Sequence, residues 1–253
     1  MTDLSVFSLE GRTIMVTGAN TGIGQGIAVA CARAGATVLG VARSDMSETA
    51  ALVRKVSGTL HTLHCSLEDM TEARAMLEGA WADHPIDGLV YNAGIIRRAD
   101  AVDFTEDDWD AVLTINLRTL FFLSQAYGKL VLSAGRAGKI VNIASLLSFE
   151  GGIRVPAYTA SKHGVAGVTQ ALANEWASKG INVNAIAPGY IESNNTKALR
   201  ADPDRSAAIL ARIPAGRWGA PSDIGDAAVF LLSAASNYMH GAVIPVDGGW
   251  LAR

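Results

Sequence analysis

Seven short apolar runs, at 13–17, 37–42, 60–65, 88–91, 139–143, 182–186 and 242–246, punctuate the chain, and stretches with helical spacing lie between them. The runs are rich in Val, Ile and Leu, with apolar residues on both faces, which suits parallel strands covered by helices on both sides. The helical stretches fall near 22–34, 46–56, 70–83, 105–134, 157–179 and 221–234. Such alternation implies right-handed β-α-β units in one open sheet. The expected fold is α/β: a doubly wound sheet of seven parallel strands with helices on both faces, in a single domain over 1–253.

Local signals agree with these bounds. Gly35 follows the first helical stretch as a stop, Thr105 with Asp108 forms a capping-box variant, and Glu106 and Asp107 suit the positive end of a helix. Pro203 and Pro221 sit like first-turn prolines. One stretch breaks the rhythm. Residues 189–217 begin polar and turn helical, are too many for a simple loop, and follow the C-terminal end of a strand, where a substrate lid belongs.

With 49% apolar and 18% charged residues among 253, the chain can bury a full core. Lys plus Arg total 21 against 24 for Asp plus Glu, a net charge of -3, with no basic stripe for nucleic acid or an anionic membrane surface. Cys31 and Cys65 lie in apolar segments and read as buried free thiols rather than a disulfide framework. The five histidines lack partner carboxylates or thiolates at ligand spacing, so no metal site is expected; His61 and His64 flank a strand and read as structural. The opening residues lack a leader pattern and no apolar run nears the roughly 18 residues that span a bilayer, so a cytoplasmic protein is expected.

The first run leads into Thr17-Gly18-Ala19-Asn20-Thr21-Gly22-Ile23-Gly24 and then an alanine-rich helical stretch. Gly18 permits a tight turn, Gly22 and Gly24 allow close approach of backbone and helix, and the helix N-terminus offers N–H groups to a pyrophosphate. A dinucleotide site is expected there. Tyr158 and Lys162 stand four apart on one helix face, where an ammonium lowers the phenol pKa and makes it a usable proton donor and acceptor. Ser145 lies just past the fifth run, at the sheet's C-terminal edge, where a hydroxyl can reach a carbonyl. Asn116 interrupts the apolar helical stretch around Val112, Leu113, Ile115 and Leu117.

Together, Thr17-Gly18-x-x-x-Gly22-Ile23-Gly24, Asn92-Ala93-Gly94, Asn116, Asn142-Ile143-Ala144-Ser145, Tyr158-x-x-x-Lys162 and Pro188-Gly189 resemble the short-chain dehydrogenase/reductase family over nearly the whole chain. The resemblance implies a Rossmann-like fold, an NAD(P)(H) cofactor and a catalytic set of Asn116, Ser145, Tyr158 and Lys162. In that set Ser145 orients the carbonyl and Tyr158 transfers the proton. Lys162 holds the ribose and tunes Tyr158, while Asn116 positions a water linking Lys162 to solvent. Cofactor contacts are implied from Gly18, Asn20, Thr21, Gly22, Ile23 and Gly24, from Arg43, Ser44, Ser66 and Leu67, from Asn92, Ala93 and Gly94, and from Tyr158, Lys162, Pro188, Gly189, Ile191 and Ser193. Two positions depart from the family: Tyr91 stands where a second asparagine is frequent, and Ser66 where an aspartate usually meets the adenine, which implies weaker adenine selection.

Cofactor choice turns on the end of the second strand. An acidic residue there would accept from the ribose hydroxyls and repel a phosphate; Ala42 fills the place, followed by Arg43 and Ser44, which leans to NADP with dual use open. Further stretches, among them Ile95-Ile96-Arg97-Arg98, 147–156 and 213–219, resemble a branch of the family that interconverts a secondary alcohol and a ketone on a deoxy sugar acid in uronate catabolism. That implies a small deoxy-keto sugar acid as partner, with Ser145 and Tyr158 at its carbonyl. Arg97 and Arg154 are candidates for its carboxylate, and Asn194 and Asn195 for its hydroxyls. A 4-deoxy-5-hexoseulose uronate reductase, a gluconate or polyol dehydrogenase and a non-enzymatic dinucleotide-binding regulator remain alternatives. Leu120, Phe121, Phe122, Val165 and Val168 exceed one helix face, and the resemblance implies a homotetramer.

Overall fold

A computed structural model describes residues 4–253; residues 1–3, the start of the stretch read for a leader, lie outside it. Seven strands, β1 (Thr13–Thr17), β2 (Thr37–Ala42), β3 (Thr59–His64), β4 (Gly88–Tyr91), β5 (Gly138–Ile143), β6 (Ile181–Pro188) and β7 (Val243–Val246), form one parallel sheet in the order β3-β2-β1-β4-β5-β6-β7. Helices α1 (Gly22–Arg33), α2 (Ser47–Lys55) and α9 (Pro221–Leu232) pack one face around Ile14, Val16, Ile27 and Leu231. Helices α3 (Met70–Asp83), α5 (Leu120–Ser133) and α6 (Pro156–Trp176) pack the other around Met15, Leu89, Leu123 and Val183. The doubly wound, Rossmann-like expectation holds. The order reverses between β1 and β4, and connections leaving their C-terminal ends to opposite faces open a crevice there.

The central strands are buried along almost their whole length, which is why their sequences are continuous apolar runs. The third strand differs from its expectation of apolar residues on both faces. In β3 only Leu60 and Leu63 are partly buried, while Thr59, His61, Thr62 and His64 are exposed. It pairs on one side only, and polar side chains suit an unpaired edge. His61 stacks on His84 with ring centroids 4.7 Å apart, and His64 Nε2 lies 2.9 Å from the Arg43 carbonyl. Both cysteines are buried free thiols.

The helix expected over 105–134 is three segments: α4 (Glu106–Leu113), a π-helical turn (Thr114–Thr119) and α5. Thr105 caps α4 by accepting from the Asp108 N–H at 3.2 Å. The wide turn carries Asn116, whose side chain bonds outside the helix, and such turns insert an extra residue that re-aims a side chain. Of the apolar residues in excess of one helix face, Leu120 and Val165 are buried in the core of the chain, while Phe121, Phe122 and Val168 are half-buried. The 189–217 stretch holds a short turn (Asn194–Thr196), α7 (Lys197–Ala201) and α8 (Pro203–Arg212).

Helices α1 and α9 touch through glycines. A Cβ on Gly26 would fall 2.6 Å from the Pro221 carbonyl oxygen, and one on Gly225 would fall 2.7 Å from the Gly26 carbonyl oxygen. Backbone cannot yield as a side-chain tip can. Gly225→Ala is therefore expected to destabilise the fold by about 1–3 kcal/mol, roughly 2–4 °C of Tm per kcal/mol, in thermal unfolding followed by circular dichroism. An unchanged midpoint would refute the close approach.

Candidate active site

Thr17, at the end of β1, ties the two halves of the crevice together. Its Oγ1 accepts from the N–H groups of Asn92 and Ala93 at 3.0 and 3.1 Å, while Asn92 Nδ2 donates to the carbonyls of Thr17 and Gly18 at 3.0 and 3.2 Å. Gly18 and Gly22 adopt the left-handed backbone, at φ +66° and +56°, that folds the loop over this knot. A Cβ on Gly24 would lie 2.1 Å from the Gly18 carbonyl oxygen, so only glycine lets α1 start this close to β1. Thr21, the cap of α1, makes no side-chain bond to the first turn, and the N–H groups there are left to a ligand in the crevice.

The crevice is a cleft of about 400 Å3. It runs from Arg43 and Ser44 beyond β2, past the glycine loop, to Ser145, Tyr158 and Lys162 beyond β5. Every residue that the family resemblance points to for the cofactor lines this cleft, including Ser66, Leu67, Pro188, Gly189, Ile191 and Ser193. The free helix terminus, the glycine-rich loop and the basic group at the far end fit a dinucleotide with an extra phosphate.

At the β5 end, Lys162 is buried and its Nζ donates to the Ile143 carbonyl at 2.6 Å. Burial without a carboxylate partner pushes its pKa down to about 8. Tyr158 stands on the same face, with Lys162 Nζ 5.5 Å from its ring centre. Its phenol is not depressed as the Tyr–Lys spacing suggests. Burial raises it above the ordinary tyrosine value, and only partial relief comes from the Ser145 hydrogen bond and the Arg98 charge. The phenol therefore holds its proton at neutral pH, ready to give it. Ser145 Oγ also accepts from the Leu147 N–H at 3.1 Å, which fixes the hydroxyl beside Tyr158.

Asn116 is buried behind the cleft wall. Its Oδ1 accepts from the Ile95 N–H at 2.8 Å, and its Nδ2 donates to the Ile95 carbonyl at 3.0 Å and to Ser161 Oγ at 3.2 Å. It clamps the loop segment that follows Asn92-Ala93-Gly94 to the helical turn carrying Tyr158 and Lys162. The two arginines expected at the substrate stand outside the cleft lining. Arg97 pairs with Asp108 at 3.1 Å and Arg154 with Asp100 at 3.0 Å, and neither lines the cleft. Arg154 also sits in the left-handed backbone region, at φ +65°. Arg98, beside Arg97, is also exposed and outside the cleft lining, but its Nη2 donates to the Asn195 carbonyl at 3.3 Å, and its charge lowers the Tyr158 phenol. Asn194 and Asn195 do line the cleft.

Comparison with known proteins decides the family. Residues 18–251 match the family described as Enoyl-(Acyl carrier protein) reductase. The chain is 54% identical over 251 residues to 2-dehydro-3-deoxy-D-gluconate 5-dehydrogenase of Escherichia coli (strain K12), covering 99% of each. This chain belongs to the short-chain dehydrogenase/reductase family. As a member it is an NAD(P)-dependent oxidoreductase. The 2-dehydro-3-deoxy-D-gluconate 5-dehydrogenase of Bacillus subtilis (strain 168) is 55% identical, over 98% of this chain and 97% of that one. A solved structure from Agrobacterium tumefaciens, of a proposed 2-deoxy-d-gluconate 3-dehydrogenase with bound NADP, superposes with a TM-score of 0.94 at 62% identity, over 98% of this chain and 99% of that one. Among the described residues no helix is long and apolar enough to cross a membrane.

The burial of Lys162 in this short-chain dehydrogenase/reductase has a direct spectroscopic consequence. Nitrogen-15 NMR of the lysine side chains is expected to show midpoints near 8 for Lys162 and for the similarly buried Lys139. Burial disfavours the charged form, so the folded state releases these protons earlier than the unfolded chain, and stability rises with pH from about 8 toward 10.5. Lys162→Met should remove one of the two signals. A Lys162 midpoint at the ordinary lysine value would contradict the desolvated geometry.

Proposed function

We propose that the protein interconverts a secondary alcohol and a ketone on a deoxy sugar acid, as its 2-dehydro-3-deoxy-D-gluconate 5-dehydrogenase relatives are named for doing. The observation that carries this reading is the convergence of Ser145, Tyr158 and Lys162 at one end of the dinucleotide cleft, with Arg98 near enough for its charge to act on Tyr158 and held to Asn195 of the cleft wall. A neutral alcohol gives an arginine at this place no task, whereas a carboxylate does. The relatives named for sugar acids span almost the full chain at about half identity, which supports the same substrate class.

In this reading the glycine loop and the first turn of α1 hold the pyrophosphate, Arg43 and Ser44 the adenosine ribose, and Lys162 the nicotinamide ribose. When bound, the nicotinamide exchanges a hydride with the substrate carbon. Ser145 donates to the carbonyl oxygen and polarises it. Tyr158, protonated at neutral pH, gives its proton to that oxygen as it becomes an alkoxide, and takes it back in the oxidative direction. Lys162 stabilises the resulting phenolate electrostatically. Asn116 acts as a positioning residue for the Tyr158–Lys162 turn. Arg98 accepts the carboxylate in exchange for the Asn195 carbonyl, and residues 189–217 serve as the lid, with Asn194 and Asn195 at the hydroxyls. A homotetramer, supported by the exposed Trp109 and Leu132 on α4 and α5, and a cytoplasmic role in uronate catabolism complete the proposal.

The test is cofactor oxidation by the purified protein, with NADH and NADPH in parallel, on a 2,5-diketo-3-deoxy sugar acid, 4-deoxy-5-hexoseulose uronate and 5-ketogluconate. Turnover of a deoxy-keto acid is expected. Tyr158→Phe should lose about 10²–10⁴ in kcat with cofactor affinity retained. Silence on all three acids with both cofactors would overturn the substrate class, and an active Tyr158→Phe would overturn the proton assignment.

A further inference from the structure

We infer that Glu68 sets how strongly the cleft prefers a 2′-phosphorylated adenosine ribose, by acting as the counter-charge that Arg43 must leave. Strands β2 and β3 pair in parallel with Ala42 opposite His64, so the loops that follow them emerge side by side. Arg43 and Glu68 both line the adenosine end of the cleft. Arg43 Nη1 donates to Glu68 Oε1 at 2.7 Å, and His64 steadies the Arg43 backbone from the same edge.

The surrounding carboxylates have other work. Asp45 accepts from the Ser47 N–H and hydroxyl, Asp69 caps α3 through the N–H groups of Thr71 and Glu72, and Glu72 accepts from the Ser66 N–H. Among these described acids, Glu68 is the one directed at a cleft cation. The Thr119 hydroxyl holds the preceding Leu67 carbonyl at 2.9 Å, so the segment presenting Glu68 is anchored.

A phosphate approaching Arg43 must take the guanidinium from Glu68 or share it. Sharing sets two anions on one cation, and they repel. A ribose with a free 2′-hydroxyl carries no such charge, and a carboxylate accepts from it. The acid that tempers phosphate binding thus sits beyond β3, while the end of β2, where such an acid is ordinarily sought, carries Ala42. The side chains of Arg43 and Glu68 are 61% and 57% exposed, so solvent screens the pair and limits its effect to a few-fold.

The inference concerns cofactor choice and stands apart from the sugar-acid reading, so its test is binding alone. Dissociation constants for NADPH and NADH are measured by nucleotide fluorescence in the wild type, Glu68→Gln, Arg43→Ala and the double variant. Glutamine keeps an acceptor for Arg43 and removes the charge. The ratio Kd(NADH)/Kd(NADPH) is expected to rise about two- to fivefold in Glu68→Gln and to fall in Arg43→Ala. In the Arg43→Ala background the Glu68 substitution should change the ratio by less than about twofold. An unchanged or lower ratio in Glu68→Gln overturns the inference. So does an equal rise without Arg43, which would mean that Glu68 acts without its partner.

Discussion

The hydrogen-bonded knot between Thr17 and Asn92 is the constraint on which the rest of the site depends. It joins the ends of β1 and β4 at the point where the sheet order reverses. The C-terminal ends of parallel strands would otherwise leave backbone groups unpaired at the crevice floor. Thr17 and Asn92 satisfy them with side chains and so leave the space above free for a ligand. The close start of α1 against Gly18 follows from the same knot, because Asn92 Nδ2 occupies the place where a Cβ on Gly24 would lie, 2.4 Å away.

From that floor the electrostatics grade along the cleft. Cations stand at both ends, Arg43 at one and Lys162 at the other, and the uncharged glycine loop lies between them. The two ends differ in solvent access. Arg43 is exposed and matched by a carboxylate, whereas Lys162 is buried against a carbonyl and loses its proton near 8. The exposed end can tune affinity by small steps, while the buried end sets protonation. Tyr158 sits between the raising effect of burial and the lowering effects of Ser145 and Arg98, and so remains a proton donor at neutral pH.

Much of this was legible in the sequence, because the governing signals are local. Continuous apolar runs announce a two-sided sheet, and the expected strand bounds fall within two residues of those in the structure. The glycine loop and the Tyr158–Lys162 spacing place the middle and one end of the cleft. What was not legible depends on partners distant in the chain. The break in the 105–134 helix arises because Asn116 bonds Ile95 across to the β4 loop. The polar character of β3 follows from its edge position, which is a property of strand order. Arg97 and Arg154 pair with Asp108 and Asp100 outside the cleft lining, partners that proximity in sequence to Tyr158 does not reveal. The Tyr158 phenol likewise follows burial more than its neighbouring lysine.

The cleft is read here as divided between a dinucleotide side and a carboxylate side that meet at Tyr158. A crystal structure with NADP and an unreactive hydroxy acid bound tests that division most directly. The account predicts the acid's hydroxyl within hydrogen-bond distance of Ser145 and Tyr158, and its carboxylate on Arg98 with the Arg98–Asn195 contact broken. An acid bound with its carboxylate on Arg97 or Arg154, or away from Tyr158 with Arg98 still on Asn195, would contradict it.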